Sequence, residues 1–428
     1  HATEKRCETT DNGGAVVGDL MVHPRSSSRS PAVEPASVAV LGGTHHLELL
    51  HCLGRSREHP TDGLHSRYGY DSLVWKPLAI ATALLALVVS ACAAGETTAT
   101  TTPTTTTIVS TTTATPAAAD LVETWGDSID VVGATVLVVR GDGSTETIEY
   151  GFADREAGVR TDADSRYRIG SITKVYTAAT VMSLAEDGLL ALDDPAADYV
   201  PSLPPEITIE HLLGHTSGLR DVDVTAAIIE VALGGGEAGD PLDSLLEVVD
   251  RGLVFEPGTR QEYSSVGYLA LERVIEAAAA TTYEEALTEH LPLVGTSTEL
   301  EDGESELPTA YERLSPAIPA FSLADLETTA FARNAGGAGA LVATAADVAG
   351  FIRALFEGAV VSEASLERMM DAGPPRVEYG LGLSVYPVAD TTVYGHNGRT
   401  IGFAASVRHD PATNTTVVVL ANDGGAET

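Results

Sequence analysis

Strand-like segments near both ends of the chain enclose a long helical stretch, and this order limits the possible folds. Val131 to Arg140 and Ser144 to Gly151 are rich in β-branched residues and joined by the turn Gly141-Asp142-Gly143, which predicts a hairpin. Strand patterns return at Glu378–Val385, Thr391–Gly395, Gly402–Arg408 and Thr415–Leu420. The sequence therefore predicts an α+β fold with one antiparallel sheet built from N- and C-terminal parts, flanked by helices, and with an inserted helical domain.

The residues between these strands have helical periodicity. A short extended run, Arg166 to Ile169, precedes a long helix that begins at Ser171. Its small and apolar residues are expected to form one stripe: Val175, Ala178, Ala179, Met182 and Ala185. Thr344 and Asp347 form a capping box at the start of a later helix. Further helices are predicted at 119–128, 209–213, 241–249, 266–279, 283–290, 345–356 and 363–370.

Lys174 is the only lysine after residue 76, although the same region contains sixteen arginines. Buried lysine can lose its proton and arginine cannot, so this position indicates a need for a titratable amine. Ser171 stands three residues earlier, which places the two side chains on one helix face and supplies a nucleophile together with a base. The alternative is a helix-capping serine and a solvated first-turn lysine.

The first 76 residues differ in composition from the rest. They hold seven of the twelve histidines and two of the three cysteines, with 9 acidic and 8 basic residues, whereas the whole chain has 61 and 25. No hydrophobic period persists over the first 70 residues. We expect residues 1–72 to be disordered or to come from upstream translation, with initiation near Leu73 or Val74.

Residues 73–92 are predicted to be a secretion signal. Lys76 precedes the apolar run Pro77 to Val89, which is too short for a permanent span and suits a signal-peptide core. The run ends in Val89-Ser90-Ala91-Cys92, which resembles the lipobox of bacterial lipoproteins and implies lipidation of Cys92. The alternative is an ordinary signal cleaved near Ala91 or Ala94. Residues 93–118 are rich in Thr, Pro and Ala and are expected to form an extended tether.

Charge and composition exclude several classes of function. The formal net charge of −36 argues against a nucleic-acid partner, since phosphate binding needs a basic face. His211 and His215 lack the intervening Glu of the His-Glu-x-x-His motif, so no metal site is predicted there. Two glycine-rich runs, 234–236 and 336–339, lack a Walker lysine and are interpreted as loops. We therefore expect no metal and no cofactor.

Three other segments carry groups with possible chemistry. Tyr263 directly precedes a predicted helix, His215 lies in the string Leu212-Leu213-Gly214-His215-Thr216-Ser217-Gly218-Leu219, and His396 is followed by Asn397 and Gly398 between two predicted strands. Each histidine or tyrosine alone is more often structural than catalytic. No serine lies in a Gly-x-Ser-x-Gly elbow, which argues against an α/β-hydrolase.

Together these segments resemble the serine hydrolases related to class C beta-lactamases, a family that includes D-alanyl-D-alanine carboxypeptidases and beta-lactamase-like esterases. The resemblance runs from about Ala119 to Gly424 and rests on four strings in a fixed order. They are Ser171-x-x-Lys174, the string at 212–219, Pro-Gly before Tyr263, and His-x-Gly at 396–398. It implies a beta-lactamase/transpeptidase-like fold.

The resemblance also implies roles for individual residues. Ser171 would be the acylated nucleophile, Lys174 its hydrogen-bonded partner, and Tyr263 a proton shuttle whose pKa is lowered by Lys174. His396 and Gly398 would line the strand that receives the substrate. The backbone N–H groups of Ser171 and Arg399 would form the oxyanion hole, worth about 3 kcal/mol per donor.

The chain departs from the family pattern in three places. Ser265 stands where the family usually has Asn, and it offers only a hydroxyl to a substrate. His396 stands where some relatives have Lys, and an imidazole near its ordinary pKa holds a carboxylate less firmly than an ammonium. The chain ends at Thr428 without the helix with which relatives close, so a truncated sequence is expected.

The sequence thus predicts a secreted serine hydrolase, lipid-anchored through Cys92 on the outer face of a bacterial cytoplasmic membrane. Its substrate is expected to be a small molecule or peptide: an ester, a peptidoglycan stem peptide or a beta-lactam. The alternative function is a non-hydrolytic or slow penicillin-binding or cell-wall-binding module, which the serine at 265 favours.

Overall fold

The computed structural model describes residues 117–221, 241–291, 299–300, 307–313, 318–324, 328, 334–388 and 390–426. The predictions for residues 1–116, including the signal peptide, Cys92 and most of the tether, lie outside this part of the chain, as does the glycine run 234–236. None of the helices within the described ranges is long and apolar enough to cross a membrane.

A seven-stranded antiparallel sheet joins the two ends of the described chain. Its strands are β1 Gly133–Val139, β2 Thr145–Asp154, β3 Val159–Arg160, β9 Ser384–Val388, β10 Thr391–Thr400, β11 Phe403–Asp410 and β12 Thr415–Ala421. Their order is β3-β2-β1-β12-β11-β10-β9. The N-terminal strand β1 pairs with the last strand, with Val136 opposite Val419. The predicted sheet of N- and C-terminal strands is confirmed, as is the hairpin between β1 and β2.

The helices lie mostly between the two groups of strands along the chain. They are α1 Ala118–Ile129, α2 Thr173–Glu186, α3 Ile209–Leu213, α4 Pro241–Asp250, α5 Ser265–Ala279, α6 Tyr283–His290, α7 Gly336–Gly339, α8 Ala345–Phe356 and α9 Glu363–Met370. Short 3₁₀ helices occupy Gly170–Ile172 and Ala196–Asp198. The predicted capping box is confirmed, since Thr344 accepts the Asp347 amide while the Asp347 carboxylate accepts the Thr344 amide.

Short strands complete the fold. Three of them, β4 Tyr167–Arg168, β8 Leu341–Ala343 and β5 Glu299–Leu300, form a small sheet in the order β4-β8-β5. Two others, β6 Tyr311–Glu312 and β7 Phe321–Ser322, form a pair. Strand β4 leads, through Ile169, into the 3₁₀ helix that carries Ser171.

The predicted stripe of helix α2 packs in the core, and burial extends beyond it to the other faces of the helix. Thr173, Thr177 and Thr180 are fully buried along with its apolar residues. The Thr177 hydroxyl is satisfied by hydrogen bonds with the Gly337 carbonyl and the Tyr283 hydroxyl, both 2.6 Å away. Small and hydrogen-bonded side chains let other elements approach α2 all round, which fixes the serine and lysine at its start.

The C-terminal strands differ from their predicted bounds. The segment from Glu378 to Leu383 is irregular, with Glu378 at φ +57°, and strand β9 begins only at Ser384. Strand β10 continues past Gly395 to Thr400, so His396, Gly398 and Arg399 lie within a strand and not in a connection between strands. Pairing with β11 through Thr400 and Phe403 overrides the weak strand propensity of these residues.

Candidate active site

Ser171 lies at the junction between strand β4 and helix α2. Gly170 before it adopts φ +52°, and a Cβ atom at Gly170 would lie 2.6 Å from the Arg399 amide nitrogen. Both the left-handed backbone and the close approach of β10 require glycine at this position. The junction therefore brings Ser171 against the part of β10 that contains Arg399.

Lys174 and Ser171 form the predicted pair. The Lys174 Nζ atom lies 3.0 Å from the Ser171 Oγ atom, 2.8 Å from the Ala338 carbonyl oxygen and 3.4 Å from the Ser265 Oγ atom. Only 1% of the Lys174 surface is exposed. Burial lowers the pKa of Lys174 to about 7, and the negative charge of Asp221 opposes this shift. The amine is thus poised to gain or lose a proton near neutral pH.

Asp221 is a component of the site that the sequence analysis missed. Its Oδ1 atom accepts the Ser265 backbone N–H at 2.7 Å, at the first turn of helix α5. Its charge also acts on Lys174 and Tyr263, raising the pKa of both groups. Asp221 therefore holds the start of α5 and sets the electrostatic balance around the lysine. No motif marks this aspartate, because its role depends on a partner 44 residues away.

Tyr263 lies beside the pair, as expected, but its electrostatics differ from the expectation. The Lys174 Nζ atom is 5.1 Å from the centre of the Tyr263 ring, and 36% of this tyrosine is exposed. The prediction that Lys174 lowers the pKa of Tyr263 is wrong. Burial of the hydroxyl raises the pKa, and the interaction with the Ser171 side chain opposes this only in part. Tyr263 is therefore a neutral phenol at neutral pH, able to donate a proton.

His396 lies near Tyr263, with ring centroids 6.3 Å apart, and is a neutral imidazole. Burial, together with the charges of Lys174 and Arg408, lowers the pKa of His396 to about 3. Its Nδ1 atom contacts the Asn397 carbonyl oxygen, which can only accept, so Nδ1 carries the proton. Its Nε2 atom then accepts from the Tyr379 hydroxyl at 3.1 Å. The expectation of an imidazole near its ordinary pKa is wrong, because this ring is 4% exposed and has both nitrogens engaged.

The edge of β10 lies against the segment that carries Ser171. Strand β9 pairs with β10 only as far as Gly395, so the following residues have no β9 partner. A Cβ atom at Gly398 would lie 1.9 Å from the Ile169 carbonyl oxygen, which explains the glycine by contact with the segment that leads into Ser171. The Arg399 amide lies next to the first helical turn, whose amides have no carbonyl partner within the helix. The Arg399 guanidinium is 59% exposed and pairs with Glu312.

Two further contacts were beyond the sequence analysis. The run Gly336–Gly339 is a helical turn, not a loop, and it presents the Ala338 carbonyl to Lys174. Tyr379, in a segment predicted as a strand, supplies the hydroxyl that contacts His396. The Ala338 carbonyl has no sequence signature because every residue has a carbonyl, and a single tyrosine such as Tyr379 gives only a weak signal. In the described part of the chain, no group of three His, Cys, Asp or Glu residues could hold a metal ion.

A mixed fold of helices and an antiparallel sheet, with a serine at a strand-to-helix junction bonded to a buried lysine, defines the beta-lactamase/transpeptidase-like class. A comparison with protein families agrees, since the model of the family described as Beta-lactamase matches residues 118–428. The chain belongs to the beta-lactamase family.

Relatives in this family carry several activities in their names. The chain is 28% identical to penicillin-binding protein 4 of Amycolatopsis lactamdurans over 69% of this chain and 82% of that protein. It is 39% identical to esterase EstB of Burkholderia gladioli over 21% of this chain and 25% of the esterase. The structure of a D-stereospecific amidohydrolase from Streptomyces sp. aligns over 72% of this chain and 94% of that chain, with a TM-score of 0.61 and 25% identity.

Proposed function

We propose that this protein is a serine hydrolase that forms an acyl-enzyme on Ser171 and hydrolyses an ester or an amide. The observation that carries the proposal is the 3.0 Å contact between Ser171 Oγ and Lys174 Nζ, where burial has lowered the lysine pKa to about 7. A serine hydroxyl becomes an effective nucleophile when an adjacent base takes its proton.

The acylation step uses Lys174 as the base and Tyr263 as the acid. Ser171 Oγ bonds to the substrate carbonyl carbon while its proton passes to neutral Lys174. The oxygen of the tetrahedral intermediate accepts hydrogen bonds from the Ser171 and Arg399 amides. The bond to the leaving group then breaks, the leaving group takes the Tyr263 hydroxyl proton, and Lys174 returns a proton to Tyr263. The raised pKa of Tyr263 keeps its hydroxyl protonated at neutral pH, as this role requires.

The deacylation step uses the same groups with water. A water molecule loses a proton to neutral Lys174 and bonds to the acyl carbon. The bond from that carbon to Ser171 Oγ breaks, Ser171 recovers its proton from Lys174, and the carboxylic acid leaves. One water is consumed for each ester or amide, so the enzyme returns to its starting protonation state.

The charges around Ser171 favour substrates without a free carboxylate next to the scissile bond. His396 is neutral with a pKa of about 3, and the Arg399 side chain pairs with Glu312. Lys174 is buried, and its Nζ atom already contacts three oxygen atoms, so it is not placed to bind a substrate carboxylate. These features support an ester or amide hydrolase over a carboxypeptidase, in keeping with the names of the esterase and amidohydrolase relatives.

Burst kinetics test the proposal. Mixing the protein with p-nitrophenyl butyrate is expected to release one nitrophenolate per protein rapidly, followed by slower turnover. Ser171→Ala should abolish both phases. Ser183→Ala is the matched control, because Ser183 lies on helix α2 and contacts His290 outside the site. Full turnover by Ser171→Ala would refute the assignment.

A penicillin-binding module is the second candidate, supported by the similarity to penicillin-binding protein 4 and by Ser265 in place of Asn. Three substrates separate the cases: p-nitrophenyl butyrate, a peptide ending in D-Ala-D-Ala, and nitrocefin. We expect the ester to react fastest. A lasting adduct with labelled penicillin and no ester turnover would instead identify a binding module.

We further propose that the protein is secreted and anchored to the cytoplasmic membrane by lipid on Cys92. The apolar run ending in Val89-Ser90-Ala91-Cys92 supports this location. A tether of residues 93–118 would then hold the hydrolase away from the bilayer.

A further inference from the structure

His215 accepts hydrogen bonds from the two residues that flank Tyr263 in the sequence. Its carbonyl oxygen accepts the Glu262 amide at 2.9 Å, and its Nδ1 atom accepts the Ser264 amide at 3.2 Å. Between these two bonds, the His215 and Tyr263 rings pack with centroids 4.3 Å apart. One residue therefore holds the residue before Tyr263, the residue after it, and the tyrosine ring itself.

The turn that carries His215 is tied to the same segment along its length. The Thr216 carbonyl accepts the Gly258 amide, and the Gly218 carbonyl accepts the Val254 amide, each at 2.8 Å. The segment from Val254 to Ser264 thus follows the 214–218 turn by backbone bonds, and His215 provides the contacts nearest the catalytic tyrosine.

His215 has two energetically unfavourable features, one in its backbone and one in its side chain, that a residue needed only for packing could avoid. Its backbone is in the left-handed region, with φ +57°. A backbone amide can only donate, so Nδ1 is unprotonated and Nε2 carries the ring proton, which has no hydrogen-bond partner among the described residues. The side chain is 2% exposed, so this donor is not solvated at the surface. An apolar side chain would avoid the unpaired donor.

The neutral ring is required for this arrangement. A protonated imidazole has no lone pair and could not accept the Ser264 amide. Burial, together with the charge of Lys174, holds the pKa of His215 well below its ordinary value. The titratable groups packed around the ring are Tyr263, Tyr268 and Tyr379, whose pKa values are all raised, so these phenols also remain neutral.

We propose that His215 is a positioning residue for Tyr263: its Nδ1 acceptor and its carbonyl fix residues 262 and 264 so that the tyrosine hydroxyl is held against Ser171. This inference rests on the proposed role of Tyr263 as the acid of the acylation step. The hydrogen bonds that His215 makes go to the residues beside Tyr263, so we assign its effect to the tyrosine.

Two substitutions of similar shape distinguish the hydrogen-bond acceptor of the His215 ring from its packing volume. Asn and Leu both branch at Cγ, but Asn offers an oxygen near the position of Nδ1 and also tolerates φ +57°, so His215→Gly, which tolerates this φ without an acceptor, is measured beside them. His215→Leu should lower kcat for hydrolysis of ethyl butyrate, whose alkoxide leaving group must take a proton, about 100-fold with little change in KM, the scale expected when a catalytic group is misplaced. Burst kinetics with p-nitrophenyl butyrate, whose nitrophenolate leaves without a proton, should change much less. His215→Asn should recover most of the lost kcat. His211→Leu is the control, because the His211 ring caps helix α3 through Thr208.

A double-mutant cycle with Tyr263→Phe identifies the route of the effect. If His215 acts through the tyrosine, adding His215→Leu to Tyr263→Phe should cause no further loss. The inference would be overturned if the rate loss in the double variant equals the product of the losses in the two single variants. Equal losses in His215→Asn and His215→Leu would also overturn it. If His215→Leu melts far below the wild type, His215→Gly takes its place in the cycle, because glycine lacks the acceptor and tolerates φ +57°. If Tyr263→Phe reacts at the wild-type rate, the proposed acid is wrong; if only His215→Leu does, this inference alone fails.

Discussion

The Lys174 Nζ atom lies 2.8 Å from the Ala338 carbonyl oxygen and 3.0 Å from the Ser171 Oγ atom. A neutral amine has two N–H donors and one lone pair. The two donors can engage the Ala338 carbonyl and the Ser265 hydroxyl at 3.4 Å, which leaves the lone pair for the Ser171 hydroxyl proton. The acceptors around Lys174 therefore orient it as a base.

The pH dependence of acylation follows from this arrangement. Burial lowers the pKa of Lys174 to about 7, so the base is protonated below that value and free above it. We predict that the burst rate constant with p-nitrophenyl butyrate rises with pH and levels off above about 7. A rate that is constant from pH 5 to 9 would contradict a titrating base.

Asp221→Asn provides the control for this profile. The carboxylate raises the pKa of Lys174, and asparagine would keep an acceptor for the Ser265 amide while removing the charge. The rising limb should therefore move to lower pH in the variant. Movement to higher pH would show that the limb belongs to another group.

Stability should also reflect the buried amine. Between about pH 7 and 10.5, the unfolded chain carries a proton on Lys174 that the folded protein lacks, so wild-type stability rises with pH through this window. Lys174→Met removes both the titration and the burial of charge. We predict that it raises the free energy of unfolding at pH 6 by roughly 1–4 kcal/mol, and by less near pH 10. Urea denaturation would measure this, and a variant less stable than wild type at pH 6 would contradict it.

The sequence predicted the parts of the site that depend on local order. The spacing of Ser171 and Lys174, the position of Tyr263 before a helix, and the sheet formed from both ends of the chain were all readable from residue types and periodicity. Helices such as Tyr283–His290 and Glu363–Met370 have the predicted bounds, because capping residues mark their starts.

The features that the sequence could not provide depend on contacts between distant segments. The Ala338 carbonyl has no side-chain signature, and Asp221 acts on a residue far along the chain. The continuation of β10 through Gly398 depends on its pairing with β11. The pKa values of Tyr263 and His396 follow from burial, which no motif reports, so both electrostatic expectations were wrong.

The close contact between Gly170 and Arg399 predicts that a methyl group added at Gly170 lowers both activity and stability. In Gly170→Ala, the new Cβ atom would meet the Arg399 amide at 2.6 Å and push β10 away from Ser171. We expect loss of the burst and a stability loss roughly 1–3 kcal/mol greater than that of the control. The control is Gly188→Ala, which has a similar φ of +72° but no neighbour within 4 Å. Equal effects in the two variants would mean that strain alone explains them.

The lipid anchor remains a prediction for residues that the structure does not describe. Expressed in a bacterium that processes lipoproteins, the wild type should enter the detergent phase on Triton X-114 partition, and Cys92→Ala should not. Ser90→Ala provides the matched control, because it keeps a small residue before Cys92, and it should leave partition unchanged. A wild-type protein in the aqueous phase with a mature N-terminus after Cys92 would contradict lipidation.

The most direct test of the account is the chemical identity of the intermediate. The protein is mixed with p-nitrophenyl butyrate, quenched in acid within the burst, digested, and analysed by mass spectrometry. We predict one butyryl group on the peptide that contains Ser171, present in wild type and absent from Ser171→Ala. Ester turnover with no adduct, or with the adduct on a different residue, would contradict the proposal that Ser171 is the nucleophile.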